Sequence, residues 1–319
     1  MSVADARADL AELRSASREG LLGRRLRELP DGHPSSPRYG DRVRPATDAE
    51  HAEHVADVRH RLAGAREAGL ATHFRHTIDP AHEVWSRARR AAHDQILGEM
   101  YAAASAVPCE RRAVLAGGLP GAGKTTVLSQ HAGLDGGRNL TINPDDMKQQ
   151  LASRGLIPAV SGLTPMEAAG LAHEEASHLA KRLARIAQAA GKNVIWDVTL
   201  AKPDSAGKRI EALRTGGYQR VDGLFVDVPA AVSMRRADLR HRAGHDEFLA
   251  GRGCGGRYVP ADMIDAQADG DRTSHNRRHF AQVADRFDAW WIYDNSADGR
   301  PPLLIAHGAR PSRAPWEAE

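Results

Sequence analysis

Apolar residues follow two rhythms along this chain, and the change from one to the other falls near residue 106. Before it, apolar positions recur at helical spacing in sequence rich in Ala, Arg, Glu and His. VADARADLAELRSASREGLLGRRLREL reads as helix, PDGHPSSPRYGDRVRP as a loop, and the stretches at about 47–69 and 82–105 as further helices. Charged faces on such helices belong in water. After the break, short apolar runs alternate with helical stretches: RRAVLAG (111–117), NLTIN (139–143), NVIWDVT (193–199), GLFVDVP (223–229) and WWIYDNS (290–296) read as strands. That alternation predicts an α/β fold, a parallel sheet with helices on both faces.

The longest helix carries its own punctuation. Thr164 supplies an N-cap, Pro165 the first helical position and Glu167 the third-position acid of a capping box, while Gly191 closes the far end. Leu179, Leu183, Ile186 and Ala190 form its apolar stripe. At 100° per residue Glu175 lies beside that stripe and Glu174 nearly opposite, so of the two Glu175 is the site candidate, against the plainer reading of two surface glutamates.

Composition narrows the picture only in part. The 319 residues give room for one large α/β domain and an extra segment, and 44 basic against 41 acidic residues leave a net charge of +3 that decides little about partners. The only cysteines are Cys109 and Cys254, without a CxxC spacing, which argues against a disulfide framework or a zinc site and fits a reducing interior. No stretch approaches the apolar length of a spanning helix, so no membrane role is expected and a cytoplasmic protein is. The part beyond residue 106 lacks the lysine-rich, aromatic-interleaved tract that would suit nucleic acid.

Chemistry enters at GGLPGAGKTT. Gly118, Leu119, Pro120, Gly121, Ala122, Gly123, Lys124 and Thr125, with Thr126 behind them, match GxxxxGK[ST] between a strand and a helical stretch, the context of a P-loop. Glycines let backbone N–H groups turn toward a polyphosphate, Lys124 reaches the β- and γ-phosphates, and Thr125 offers a hydroxyl to Mg²⁺. ATP or GTP with Mg²⁺ is the expected ligand, and a glycine-rich turn the bland alternative. TINPDDMKQQ places Asp145 and Asp146 after the second strand, where one can serve a hydroxyl acceptor and one can cap the following helix. Asp197, after an apolar strand, resembles a Walker B acid that orders Mg²⁺; it and Thr199 can instead bind a substrate hydroxyl, or Asp197 can be purely structural. Arginines gather in MRRADLRHRAG and GRGCGGRYVP, and the glycines between them suit a mobile lid over phosphates.

The order GGLPGAGKTT, INPDDMKQQ, a long helix, WDVT, then VP with an arginine-rich helix and GRYVP resembles the zeta toxin family of P-loop kinases over roughly residues 82–308. The resemblance implies a P-loop kinase domain over 82–308, while composition and spacing read 1–81 as a helical or partly disordered segment and leave 309–319 as a tail. It implies phosphoryl transfer to a small-molecule hydroxyl, for which UDP-N-acetylglucosamine is the family's best-known acceptor, and restraint by an antitoxin protein. It gives Asp145 the base position, Asp197 and Thr199 sugar-nucleotide contacts, and Arg240 and Arg257 the transferring phosphate. A family glutamate that holds the sugar nucleotide falls on Lys181, with Glu175 as its substitute, and the interval from Arg240 to Arg257 is longer than the family pattern. Two other readings stand beside this one: a kinase of another hydroxyl compound, such as an antibiotic, a nucleoside or a nucleic-acid end, and a non-catalytic NTP-binding regulatory module.

Overall fold

A computed structural model describes residues 47–81, 83–130, 137–270 and 273–310. The helix expected at 3–29, the loop at 30–45 and most of the tail lie outside these residues. In chain order the elements begin with α1 (Asp48–Glu67), α2 (Thr72–His76), the short strands β1 (Thr77–Asp79) and β2 (Val84–Trp85), and α3 (Arg87–Ala103). Next come β3 (Arg112–Gly117), α4 (Lys124–Gln130), β4 (Leu140–Ile142), α5 (Pro144–Ser153), α6 (His173–Ala189), β5 (Val194–Asp197), α7 (Pro203–Thr215) and β6 (Arg220–Asp227). The last are α8 (Ala230–Leu249), α9 (Ala261–Asp265), β7 (Ala268–Asp269), β8 (Thr273–Ser274), α10 (His275–Ala281), β9 (Ala289–Asp294) and β10 (Leu303–Ala309). They fall into two compact units: a helical unit of the described residues up to Ala103, Asn143–Ile186 and Ala237–Pro260, and a sheet unit of the remainder.

In the sheet unit six strands run in the order β10-β9-β6-β3-β5-β4. The five strands expected from the sequence pair in parallel, whereas β10 pairs antiparallel with β9 and was not foreseen. Its side chains explain why: Leu303, Leu304 and Ile305 are exposed, so the strand is held by its ladder to β9 and leaves no buried alternation to read. On one face of the sheet Val114 and Ala116 of β3, Ile195 of β5 and Leu224 and Val226 of β6 pack with Val127 and Leu128 of α4. Elsewhere Phe280 of α10 stacks between Phe225 and Phe287, with ring centroids 5.4 Å apart in both pairs. β3 lies centrally between β5 and β6, so the segment that follows it is gripped on both sides.

The helical unit is organised by caps and small residues. A complete capping box between Thr47 and Glu50 starts α1, whose Val58, Leu62 and Ala65 pack against Leu171. The capping box expected at Thr164 and Glu167 forms: the Thr164 N–H donates to the Glu167 carboxylate at 2.8 Å and the Glu167 N–H to the Thr164 hydroxyl at 3.3 Å. The chain after it first winds as a tighter turn over Ala168–Ala172 and becomes α-helical only at His173. Ala168, Ala169, Leu171 and Ala172 are all buried there, a crowding that small side chains on a narrow helix tolerate.

In the glycine-rich run after α8, Gly251 and Gly253 face open space, while Gly255 and Gly256 are closely approached. A Cβ on Gly256 would lie 1.8 Å from the His241 carbonyl oxygen, and one on Gly255 2.1 Å from the Thr164 hydroxyl. Gly256 thus permits close backbone packing against α8, and Gly255 against Thr164. Gly256→Ala is therefore expected to cost about 1–3 kcal/mol or more by forcing α8 and the loop apart. Gly251→Asn, at a left-handed position facing open space, should cost less than about 1 kcal/mol. Urea denaturation of the two variants compares them directly, and equal losses would count against the close-packing account.

Candidate functional site

The sheet unit contains a loop shaped by what it leaves out. β3 ends at Gly117, and the chain turns through Gly118, Gly121 and Gly123 at φ 144°, 78° and 85°, backbone conformations in which a side chain is strained. A Cβ on Gly118 would stand 2.6 Å from the Val226 carbonyl, and one on Gly123 2.3 Å from the Asn295 amide. Leu119 and Ala122 are buried, and the loop is tied down by Ser233 donating to the Pro120 carbonyl and by Asn295 donating to the Ala122 carbonyl at 2.7 Å. α4 then begins at Lys124, with Thr125 and Thr126 exposed on its first turn. The Lys124 ammonium donates to the Gly118 carbonyl at 3.1 Å and the Leu119 carbonyl at 3.3 Å, and stands 3.4 Å from an Asp197 oxygen.

Asp197 is the last residue of β5, directly beside β3 in register with Ala116. Beyond it the chain turns sharply at Leu200, which adopts φ 62° without being glycine. This turn is held from α10: the Asn276 amide donates to the Thr199 carbonyl at 2.6 Å and a His279 ring nitrogen sits 2.9 Å from the Leu200 carbonyl. Asn276, His279, Asn295 and Ser233 are supports that the sequence did not announce, since each acts through a backbone carbonyl far away in the chain. At the ends of β6 and β9, Asp227 and Asp294 stand opposite each other, and burial pushes the Asp227 carboxyl up against the pull of Arg277.

In the helical unit the opening of α5 resolves the two aspartates differently from expectation. Neither caps the helix: the N-cap is Asn143, whose side chain accepts from the Asp145 N–H at 2.9 Å, because Pro144 occupies the first helical position and fixes the cap one residue before it. Asp146 faces solvent. Asp145 pairs with Lys148 at 3.1 Å and with the Arg257 guanidinium. Burial alone would raise its carboxyl, but the charges of Lys148, Arg257 and Arg240 outweigh that and hold it below the usual aspartate range. Asp145, Arg240 and Arg257 thus meet in one unit, and Lys124, Thr125, Asp197 and Thr199 lie in the other.

Glu175 has another place. It is fully buried on α6 while Glu174 is exposed, as the helical stripe implied, but its carboxylate is clasped by the Arg89 guanidinium at 2.5 and 2.8 Å and by a His93 ring nitrogen at 2.6 Å. A carboxylate so enclosed has nothing left to offer a ligand. The signal was present in α3, where Arg89 and His93 fall four residues apart on one helical face. The helical unit also holds a cavity of about 240 Å³ lined by Ile157, Val160, Leu163, Pro165, His245 and Phe248 among others, and none of the residues that the sequence singled out for catalysis or binding borders it.

A sequence profile of the family described as zeta toxin matches residues 103–298. Comparison with curated proteins gives no significant match. Among solved structures, the chain is similar to one in a complex of AvrRxo1-ORF1 with AvrRxo1-ORF2 determined with sulphate ions, at 18% identity and TM-score 0.54, over 70% of this chain and 68% of that one. The same complex determined with ATP gives 15% identity and TM-score 0.51 over the same shares. A chain of the PezAT chromosomal toxin–antitoxin system of Streptococcus pneumoniae is similar at 16% identity and TM-score 0.48, over 68% of this chain and 81% of that one.

The Glu175 cluster makes stability depend on acid. Burial would raise this carboxyl, but the hydrogen bonds from His93 and Arg89 lower it from 4.5 to about 2, so its contribution is complete above the ordinary value and disappears as pH falls toward about 2. Glu175→Gln leaves Arg89 buried without its counter-charge and is expected to cost about 3–5 kcal/mol at neutral pH, with the loss shrinking in acid. Denaturant midpoints measured at neutral and acid pH test this. A neutral midpoint equal to the parent's would show that the pair contributes nothing.

Proposed function

The chain belongs to the zeta toxin family, and on that footing we propose that it is an ATP-dependent phosphotransferase that phosphorylates a hydroxyl of UDP-N-acetylglucosamine. The observation that carries the reading is the glycine loop of the sheet unit with Lys124 held at its mouth between two loop carbonyls and Asp197. Closely approached backbone without side chains, a lysine at the start of a helix and an acid at the end of the neighbouring strand are the parts that bind a nucleoside triphosphate. That the AvrRxo1-ORF1 complex was solved with ATP supports the choice of nucleotide.

In this mechanism the backbone of Gly118–Thr126 cradles the phosphates, and Lys124 exchanges the loop carbonyls for β- and γ-phosphate oxygens. The Thr125 hydroxyl and Asp197 carboxylate are hard oxygen donors that would hold Mg²⁺, an ion that would supply positive charge to the phosphates. Asp145 accepts a hydrogen bond from the acceptor hydroxyl and orients it. Kept ionised by Lys148, Arg257 and Arg240, it is a weak base, so alignment rather than strong proton abstraction is its contribution. Arg240 and Arg257 spread positive charge over the transferring group, and Thr199 contacts the acceptor. Glu175 has no part, being enclosed by Arg89 and His93.

That enclosure favours a second reading, in which the acceptor is another hydroxyl compound, because it removes the α6 acid available to hold a sugar nucleotide. An antitoxin is the proposed protein partner, which the paired AvrRxo1-ORF1 and AvrRxo1-ORF2 chains support, and the cytoplasm the proposed location. No helix among the described residues is long and apolar enough to cross a membrane.

Incubation with labelled ATP and a panel of UDP-sugars, nucleosides, aminoglycosides and phenicols is expected to give a phosphorylated UDP-N-acetylglucosamine. Label on another compound would overturn that acceptor, and ATP binding without any product would overturn transfer itself. Asp145→Asn should lower transfer about 10²-fold or more with nucleotide affinity unchanged, while Asp146→Ala stays within a few-fold of the parent.

A further inference from the structure

The absence of CxxC spacing pointed away from zinc, yet the helical unit assembles a different donor set. Glu167 is fully buried, and one of its carboxylate oxygens is approached by three imidazole nitrogens: His54 at 2.6 Å, His241 at 2.9 Å and His245 at 3.0 Å. Its other oxygen accepts the Thr164 N–H. His54 projects from α1, Glu167 from the turn before α6, and His241 and His245 from successive turns of α8. Within this group one ring nitrogen each of His54 and His245 and one Glu167 oxygen lie within 4.8 Å of one another.

We propose that His54, His245 and Glu167 bind one divalent transition-metal ion of the zinc type, with His241 orienting the Glu167 carboxylate. Three N–H donors converging on one oxygen exceed its two lone pairs, so one or more of these nitrogens is better used as a ligand than as a donor. A divalent cation would give the buried Glu167 carboxylate a counter-charge within ligand distance. Two imidazoles and a carboxylate form a donor set that zinc takes, with a further position for water. Zinc–ligand bonds of about 2.0–2.2 Å space tetrahedral donors roughly 3.3 Å apart, so the two histidine–carboxylate separations of 2.6 and 3.0 Å need to open by less than about an ångström. His241 keeps its hydrogen bond to Glu167, the relation by which a neighbour fixes a ligand's orientation.

Two features outside the ligand set give the ion a structural consequence. His241 follows Arg240 directly in the chain, and its ring packs edge-on against Tyr258, which follows Arg257, at 5.8 Å. An ion joining α1, the Glu167 turn and α8 would therefore hold both arginine-bearing segments of the helical unit in place. His51, Asp238 and His241 form a second, more exposed group in the same unit, and it serves as the internal control.

The full chain, stripped with a chelator and titrated with Zn²⁺ or Co²⁺, is expected to bind one equivalent, to show the visible bands of a four-coordinate cobalt ion and to raise its thermal midpoint. His54→Ala and His245→Ala should each weaken metal binding at least tenfold, and Asp238→Ala should leave it unchanged. His54, partly exposed, is the variant least apt to disturb folding, and circular dichroism of each variant identifies any that is unfolded. Failure of the folded parent to bind an equivalent, or binding lost in Asp238→Ala but kept in His54→Ala, overturns the site. None of these readouts depends on phosphoryl transfer, so the metal site and the proposed activity stand or fall separately.

Discussion

The absence of a side chain at Gly118 is the constraint on which the glycine loop depends. Its Cα stands so close to the Val226 carbonyl of β6 that no other residue could take its place without moving the central strands apart. β3 in turn is locked between β5 and β6 by parallel ladders on both sides, so the loop's entry point is fixed by the sheet. From that anchor the other features of the site follow: two more glycines that turn the backbone, a lysine at the start of α4, and Asp197 delivered to the lysine by the strand next door. Distant side chains then complete the support by bonding to loop carbonyls, which fixes the backbone.

Three acids of the helical unit show how surroundings assign a residue its work. Asp145, Glu167 and Glu175 are all held ionised by basic partners, yet they differ in what remains accessible. Glu175 is sealed between a guanidinium and an imidazole, and reads as a strut between α3 and α6. Glu167 gathers three imidazoles and a backbone N–H, joining α1, α8 and its own turn. Asp145 meets Lys148 through one oxygen and Arg257 through the other, yet keeps about a third of its side chain exposed. Burial costs a carboxylate so much that each fully buried one must be saturated. Of the three, Asp145 alone is left partly open.

Much of this was legible along the chain. Five apolar runs became the five parallel strands because a strand buried on both faces needs continuous apolar sequence, and the loop signature was legible because its glycines and lysine are adjacent in sequence. The stripe on α6 placed Glu175 inward and Glu174 outward for the same local reason. What Glu175 meets on that inward side was not legible, since Arg89 and His93 lie more than eighty residues earlier. The cap of α5 was misread between two aspartates because both are good caps by type, and only the helical register set by Pro144 selects Asn143.

The sequence by itself determined the order of elements, the glycine loop and the residues that can carry charge near it, because these rest on periodicity and on neighbours in the chain. Tertiary structure alone decided which charges are spent on one another. It enclosed Glu175, left Asp146 in solvent, set Asp145 against Arg257 and collected the histidines around Glu167. The physical reason is that the state and use of a carboxylate depend on burial and on charges a few ångströms away, and those neighbours come from segments that only folding brings together.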